Sequence, residues 1–375
     1  PDTDRSRGLG DVYKRQPQTQ TIPAAGQPPR RVYVDAMKGL GIILVVWGHF
    51  EEYYRGTSPL FNGTFECMYL FHMALFCLCS GLVAKFNWKK LILQQVWLYL
   101  ACQALLIPFR TAVLTEDLAA AGGTLTALLV PWRHMWYLYA LIFWELTVPV
   151  LALLRDKLGL PGRVAGFAAA AAAGLAAGFV EWPWSLNRVL GFFPFFAAGV
   201  LFRDEIDRWF RAARRLPSLR LLPGLAFAAV YGFWFVSILR APEPVYEGAR
   251  IFNDVAYTAG YTIADRAMFY LIGLASALAL IAVLGNVRAL ASLGKRTLPI
   301  YIMHMPVYAF LVELGCYEAA GGKGVPAVAG WVFLAAGGCV CLFGAKPVTA
   351  VFGFAANLWY KALPGLAKRG RETAG

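Results

Sequence analysis

About ten long apolar runs dominate this sequence, and they constrain its fold more than any other feature. Each approaches the roughly 20 residues that an α-helix needs to cross a bilayer. Charged residues make up only 15% of the chain, whereas a soluble domain carries about 25%. We therefore predict an all-α, polytopic integral membrane protein with about ten transmembrane helices. The runs lie near residues 36–54, 66–84, 91–109, 133–154, 163–180, 187–202, 221–239, 264–284, 298–314 and 326–353.

The loops between these runs predict the orientation of the protein. Lysine and arginine concentrate before the first run and after the second, fourth, sixth, eighth and tenth runs. They give the chain a formal net charge of +13. The alternate loops are acidic or mixed. Since loops rich in Lys and Arg stay in the cytoplasm, we expect both termini to be cytoplasmic and the protein to lie in the cell membrane. A membrane protein explains these charges better than nucleic-acid binding does, so no nucleic-acid partner is expected.

The chain divides into three predicted segments. Residues 1–30 form a polar tail without an apolar core, so we expect disorder there and no cleaved signal peptide. Residues 31–356 form the membrane domain, and residues 357–375 form a short basic cytoplasmic tail. The seven cysteines lack paired metal-ligand spacing. We interpret them as small buried residues and expect no metal.

The first run, "VDAMKGLGIILVVWGHF" (34–50), contains ionisable residues, which are costly inside a membrane. Lys38 and His49 are eleven residues apart, so on a helix they differ by about 20° and lie about 16 Å apart along one face. Asp35 precedes Lys38 by three residues and can pair with it. Lys38 is either a functional group at the cytoplasmic mouth or a snorkelling lysine. His49, in the outer half, is either a general base or a structural histidine.

Other polar and aromatic residues are candidates for binding a substrate. His72 and His134 lie at outer depths close to that of His49, so the three histidines are predicted to share one outer layer. Glu145, near the middle of the fourth run, either binds substrate or forms a structural hydrogen bond with a neighbouring helix. Trp136 either stacks on a sugar or belongs to the interfacial aromatic belt.

Several motifs, taken in order, resemble the membrane-bound acyltransferase-3 family over roughly residues 31–356. Its first span carries a basic residue, ten intervening residues and a histidine, a spacing that Lys38 and His49 match in "RVYVDAMKGLGIILVVWGHF". In a last motif, a Tyr precedes His304 by a few residues. The opening most resembles the branch of fucose 4-O-acetylases and related acetyltransferases, although "AKFNWKK" replaces the Arg-x-x-Arg element of some relatives. The later motifs are "FHMALFCLCSGLV" (71–83), "MWYLYALIFWEL" (135–146), "RVLGFFPFFAAGVLF" (188–202) and "LGKRTLPIYIMHMPVY" (293–308).

The resemblance implies an O-acyltransferase. Such an enzyme moves an acyl group, usually acetyl from cytoplasmic acetyl-CoA, to a hydroxyl of an extracytoplasmic or lipid-linked carbohydrate. Lys38 would then meet the CoA phosphates, Asp35 would hold Lys38, and His49 would act as the base. A covalent acyl-histidine stays an open alternative. The expected partners are acyl-CoA, a glycan acceptor and membrane lipid, and the predicted substrate-binding residues are His72, His134, Trp136, Glu145 and His304.

A transporter or flippase of small or lipid-linked molecules is the competing hypothesis. A polar stripe among about ten spans suits it equally well. Repeated halves and paired helices broken by Gly or Pro would favour it, and the sequence shows neither clearly.

Overall fold

The computed structural model describes residues 31–120, 122–240, 256–257 and 261–372, with side chains up to residue 362. The predicted tail at 1–30 lies outside these residues. The all-α polytopic prediction is confirmed, because eight helical segments in the described part are long and apolar enough to cross a membrane. These segments are Val32–Tyr54, Pro59–Val83, Trp88–Ala112, Arg133–Lys157, Gly159–Phe179, Pro217–Arg240, Ile263–Leu284 and Val325–Phe343.

The described residues form α-helices joined by short 3₁₀ or π segments. The α-helices are α1 (Val32–Glu51), α2 (Pro59–Tyr69), α3 (His72–Val83), α4 (Trp88–Lys90), α5 (Trp97–Ala112), α6 (Gly123–Leu129), α7 (Trp136–Lys157), α8 (Gly159–Ala176), α9 (Leu186–Leu201), α10 (Arg203–Arg215), α11 (Pro217–Arg240), α12 (Ile263–Leu284), α13 (Arg288–Gly294), α14 (Thr297–Glu313), α15 (Cys316–Gly321), α16 (Val325–Phe343) and α17 (Lys346–Glu372). The other segments are the 3₁₀ turns Glu52–Tyr54, Arg133–Met135 and Ala177–Phe179, and the π-helix Leu91–Val96.

Two of the predicted spans form helices that are shorter than the rest. The run at 187–202 becomes α9, with 16 residues, and the run at 298–314 becomes α14, with 17 residues. A helix of 16 residues rises about 24 Å, which is less than the roughly 30 Å of a hydrocarbon core. The apolar windows identified both helices, but length alone does not make either of them a span.

The last predicted run, 326–353, is divided between two helices. Helix α16 ends at Phe343, and α17 begins at Lys346. The carbonyl of Gly344 in the break accepts a hydrogen bond from Arg296 at 2.6 Å. Helix α17 then continues to Glu372, so it crosses the predicted boundary between membrane domain and tail at residue 356.

The second span contains a break that positions a histidine. The Ser58 side chain caps α2 by accepting from the Leu60 amide, and Pro59 occupies the first turn, where a missing N–H costs nothing. Helix α2 ends at Tyr69 and α3 begins at His72. The His72 Nδ1 donates to the Met68 carbonyl at 2.8 Å, which fixes its ring across the break.

Helix α1 is the central element of the bundle. It packs against α3, α12, α13, α14 and α16. Its inner end approaches α13 at van der Waals distance: a Cβ added at Gly39 would lie 2.0 Å from the Leu290 carbonyl oxygen. A Cβ at Gly294 would lie 1.7 Å from the carbonyl oxygen of Asp35. Glycine is therefore required on both sides of this contact, which fixes the inner end of α1.

Candidate active site

Three histidines from distant parts of the chain form a cluster. His49 comes from the end of α1, His134 from the 3₁₀ turn before α7, and His304 from α14. The ring centroid of His304 lies 5.2 Å from that of His49 and 4.8 Å from that of His134. His304 therefore contacts both of the other rings, and we call these three residues the imidazole cluster.

Backbone hydrogen bonds assign one nitrogen in each of the two buried rings as the donor. His304 Nδ1 donates to the Tyr301 carbonyl at 2.7 Å, and His134 Nε2 donates to the Ile302 carbonyl at 3.2 Å. The other nitrogen of each ring, His304 Nε2 and His134 Nδ1, is buried without a hydrogen-bond partner among the described residues. His304 is 0% exposed and His134 3%. Each ring therefore offers one hydrogen-bond acceptor inside the protein.

His134 is held by its neighbours on both sides. The Tyr301 hydroxyl donates to its backbone carbonyl, and the Tyr301 ring lies 5.3 Å from the imidazole. Arg133 has a φ of +43°, in the left-handed region that is costly for a residue with a Cβ. Such strain persists where surrounding contacts enforce it, commonly at functional sites.

His49 differs from the other two rings in exposure and partner. Its side chain is 23% exposed, and its Nδ1 lies 3.2 Å from Glu52 Oε2. Because a carboxylate accepts, the Nδ1–H donates to Glu52, and Nε2 is left as the nitrogen that can take up a proton. Among the three imidazoles, His49 combines access from outside with a carboxylate partner.

The structure brings His72 near the cluster but not into it. The Tyr69 ring lies 4.6 Å from His72 and 6.4 Å from His49, so this tyrosine connects the two rings. His72 is 3% exposed. It therefore supports the wall behind His49 and does not contact the cluster directly.

The two candidates on α7 occupy different environments. The Trp136 ring packs 5.1 Å from Phe192, and the Arg188 guanidinium lies 5.6 Å from its centroid. Trp136 follows His134 by two residues, at the first position of α7. Glu145 lies nine residues further, about 14 Å along the helix, where it accepts a hydrogen bond from Gln95. The structure thus places Glu145 away from the imidazole cluster, and its role as a substrate-binding residue stays a prediction.

Asp35 and Lys38 lie at the inner end of α1. Asp35 is buried and Lys38 is half-buried. Both interact electrostatically with Cys79 of α3. The same continuous helix carries His49, about 16 Å from Lys38 along the helix axis.

Polar side chains lie in the bundle around the stripe. The hydroxyls of Ser80 and Tyr137 are 2.5 Å apart, and the Tyr137 ring lies 5.7 Å from that of Tyr301. Tyr301 in turn contacts His134 and His304. Ser80, the serine of "SG" in the second-span motif, is thereby connected to the imidazole cluster through contacts with Tyr137 and Tyr301.

Sequence reasoning missed Glu52 and Arg133. Glu52 lies in one of the acidic or mixed loops that indicate the orientation, although its position three residues after His49 places both on one helix face. Arg133 and Glu52 interact electrostatically, a contact between distant segments that no local pattern indicates. Within the described ranges, no group of three His, Cys, Asp or Glu side chains could hold a metal ion.

An all-helical bundle with acid–base groups on its buried helices defines a polytopic membrane protein suited to chemistry within the membrane. The chain belongs to the acyltransferase-3 family, whose acyltransferase domain matches residues 31–348. It is therefore a membrane acyltransferase. No curated protein and no solved structure matches it.

Proposed function

We propose that this protein is an O-acyltransferase that moves an acetyl group from cytoplasmic acetyl-CoA to a hydroxyl of an extracytoplasmic or lipid-linked carbohydrate. The observation that carries the proposal is the position of His49. It lies in the imidazole cluster, bonded to Glu52, on the helix that also bears Lys38. The similarity of the first span to the fucose 4-O-acetylase branch supports acetyl as the group transferred.

The reaction needs a base at the acceptor hydroxyl. His49 Nε2 takes the hydroxyl proton while the oxygen attacks the carbonyl carbon of the thioester. The carbon–sulfur bond then breaks, and the imidazolium returns the proton to the departing thiolate. The products are an acyl ester and CoA, and His49 regains its starting state.

The rest of the cluster suits a polyhydroxylated acceptor. His134 Nδ1 and His304 Nε2 are buried acceptors without described partners, and sugar hydroxyls supply the donors they lack. The His304 ring lies 5.2 Å from that of His49, so a hydroxyl bound to His304 Nε2 lies close to the base. His72 and Trp136 act through the walls of the site.

The donor approaches from the opposite end of α1. Lys38 and the inner basic loops offer positive charge to the CoA phosphates. The hydroxyls of Ser80 and Tyr137 offer polar contacts to the pantetheine arm as it extends toward His49. This direction requires cytoplasmic termini, which the alternation of basic loops supports.

Mass spectrometry of surface and secreted glycans tests the proposal. Cells that express the protein should carry glycans heavier by one acetyl group than cells without it. Identical glycan masses in both cells would contradict acyl transfer to carbohydrate, and a redistribution of unmodified lipid-linked glycans would favour a flippase.

Replacing Lys38 by Ala is expected to raise the KM for acetyl-CoA about tenfold or more, because a hydrogen bond to a charged group contributes roughly 1.5–3 kcal/mol. Lys38→Arg should retain much of the affinity, since it keeps the positive charge. The measurement is transfer of labelled acetyl in membranes as donor concentration varies. The exposed Lys323, in a loop predicted to lie on the outer side, provides the control variant, Lys323→Ala. An unchanged KM in Lys38→Ala would identify Lys38 as a snorkelling residue.

Substitutions of His304 separate hydrogen bonding from proton transfer. His304→Leu should reduce transfer by roughly tenfold or more, because the site loses an acceptor for a substrate hydroxyl. His304→Gln should retain most activity, since its amide oxygen can accept a hydrogen bond in place of Nε2. Transfer rates per amount of protein provide the readout. Equal losses in both variants would contradict a role limited to accepting a hydrogen bond.

A further inference from the structure

The Glu52 carboxylate lies at the candidate site, but the proposed acyl transfer gives it no role. It extends from the 3₁₀ turn that follows α1, and its Oε2 lies 3.2 Å from His49 Nδ1. The side chain is 43% exposed, so it lines the outer side of His49. It therefore binds the nitrogen of His49 that faces away from the one required for catalysis.

We propose that Glu52 is a positioning residue that keeps His49 Nδ1 protonated and Nε2 directed at the acceptor hydroxyl. The proposal rests on the proposed function, because it assigns Glu52 a role through the base of that reaction. A neutral imidazole has two tautomers, and only the one with a free Nε2 accepts the proton there. A carboxylate on Nδ1 selects this tautomer and stabilises the imidazolium that forms during transfer.

Other charged and titratable groups lie close to the His49–Glu52 pair. Glu52 interacts electrostatically with Arg55 and with Arg133, and Tyr308 lies within the same range. Because Arg133 directly precedes His134, the carboxylate that orients His49 also adjoins the turn that carries a second imidazole. Titratable groups that face His49 itself are Tyr69, His72, His134 and His304.

The preceding residue provides a matched control. Glu51 is 3% exposed and accepts from Trp47 Nε1 at 3.0 Å and from the Thr64 hydroxyl. These contacts connect α1 with α2 and do not involve the imidazole cluster. Two neighbouring glutamates therefore have different partners, so removing one charge at a time separates orientation of His49 from packing of the helix end.

The alternative is a simple ion pair at a helix end, because residues three apart on a helix commonly pair for stability alone. That role predicts loss of protein without loss of rate per molecule. Orientation of the base predicts a loss in kcat, an unchanged KM for the donor and a changed pH profile. These readouts decide between the two roles.

The experiment uses membranes that contain the full chain, labelled acetyl-CoA as donor and the endogenous glycans as acceptor. Glu52→Gln should lower kcat at least tenfold while the KM for acetyl-CoA stays unchanged. The loss should stay below the roughly 10⁴-fold seen when an amide replaces the buried carboxylate of a serine-protease triad, because Glu52 is partly exposed. Glu52→Asp should restore part of the rate.

The pH profile supplies the second readout. A general base must be unprotonated before it acts, so the rate depends on pH. Without the carboxylate the tautomer with a free Nε2 is less favoured, so Glu52→Gln should give a lower rate than the wild type throughout the profile. Glu51→Gln should keep the wild-type profile and the wild-type rate per molecule.

Two results would overturn the proposal in different ways. If the wild type transfers acetyl and Glu52→Gln matches its kcat and pH profile, Glu52 has no positioning role while the proposed function stands. If neither the wild type nor any variant transfers acetyl to glycan, the proposed function itself fails, and the role of Glu52 fails with it.

Discussion

His49→Gln is expected to abolish acyl transfer while the protein still inserts and accumulates. The glutamine side chain can form hydrogen bonds but cannot take up the proton of the attacking hydroxyl. General-base catalysis contributes about 10²–10⁴-fold to the rate, so residual activity should fall below one hundredth of the wild type. Acylated glycan and protein abundance are measured in the same membranes.

The other histidines provide the comparison for this variant. The Tyr69 ring lies between His72 and His49, and His72 is not proposed to carry a proton, so His72→Gln should retain most of the activity. The contrast with His304→Gln is equally informative, since that side chain is proposed to accept a hydrogen bond and not to carry a proton. Normal acylation by His49→Gln at normal abundance would show that His49 is not the base and that another group takes up the proton of the hydroxyl.

The helical class was predictable because a membrane allows few alternatives. Backbone polar groups in a bilayer must be satisfied within the protein, so long apolar runs become helices. The ends of those helices follow from local chemistry that hydropathy averages out. At the break near Gly344, the carbonyl accepts a hydrogen bond from Arg296, a residue far away in the chain, and no apolar window reveals this contact.

Helical rise predicts an outer layer of histidines but not their lateral arrangement. It gives similar depths for His49 and His72, and His134 joins them from its place at the outer start of a span, yet helix order within the bundle decides which rings meet. The structure places His304 between the two, whereas the sequence indicated His304 through a motif resemblance alone. The partner of Glu145 was not predictable either. Its hydrogen bond comes from Gln95, which belongs to a π-helix in another segment of the chain.

Glu52 shows a limit of interpreting charges by loop. The acidic residues of the outer loops indicate the topology when they are counted together. Counting them together hides the fact that Glu52 follows His49 by three residues. Helix α1 continues directly into the turn that contains Glu52, so the two side chains stay on neighbouring positions. The interpretation of Glu52 therefore depends on where the first span is predicted to end. A span that ends before Glu52 makes it a loop residue, and a helix that continues into its turn makes it a partner of His49.

Gly294→Ala is expected to destabilise the protein severely. The added methyl group would lie 1.7 Å from the carbonyl oxygen of Asp35, and this neighbour is helix backbone that cannot rotate away. Overpacking of a close contact costs about 1–3 kcal/mol. The thermal unfolding temperature in detergent and the abundance in membranes should both fall. Gly337→Ala on α16 is the control, because a Cβ there meets nothing within 4 Å.

Gly294→Ala is expected to displace α13 and so to affect binding of the acyl donor. Helix α13 contacts the inner end of α1, where Asp35 and Lys38 lie, while His49 is about 16 Å away at the other end. Protein that still folds should therefore have a raised KM for acetyl-CoA before the chemical step at His49 slows. Wild-type stability and an unchanged KM in Gly294→Ala would show that α13 does not hold the donor end of α1 in place.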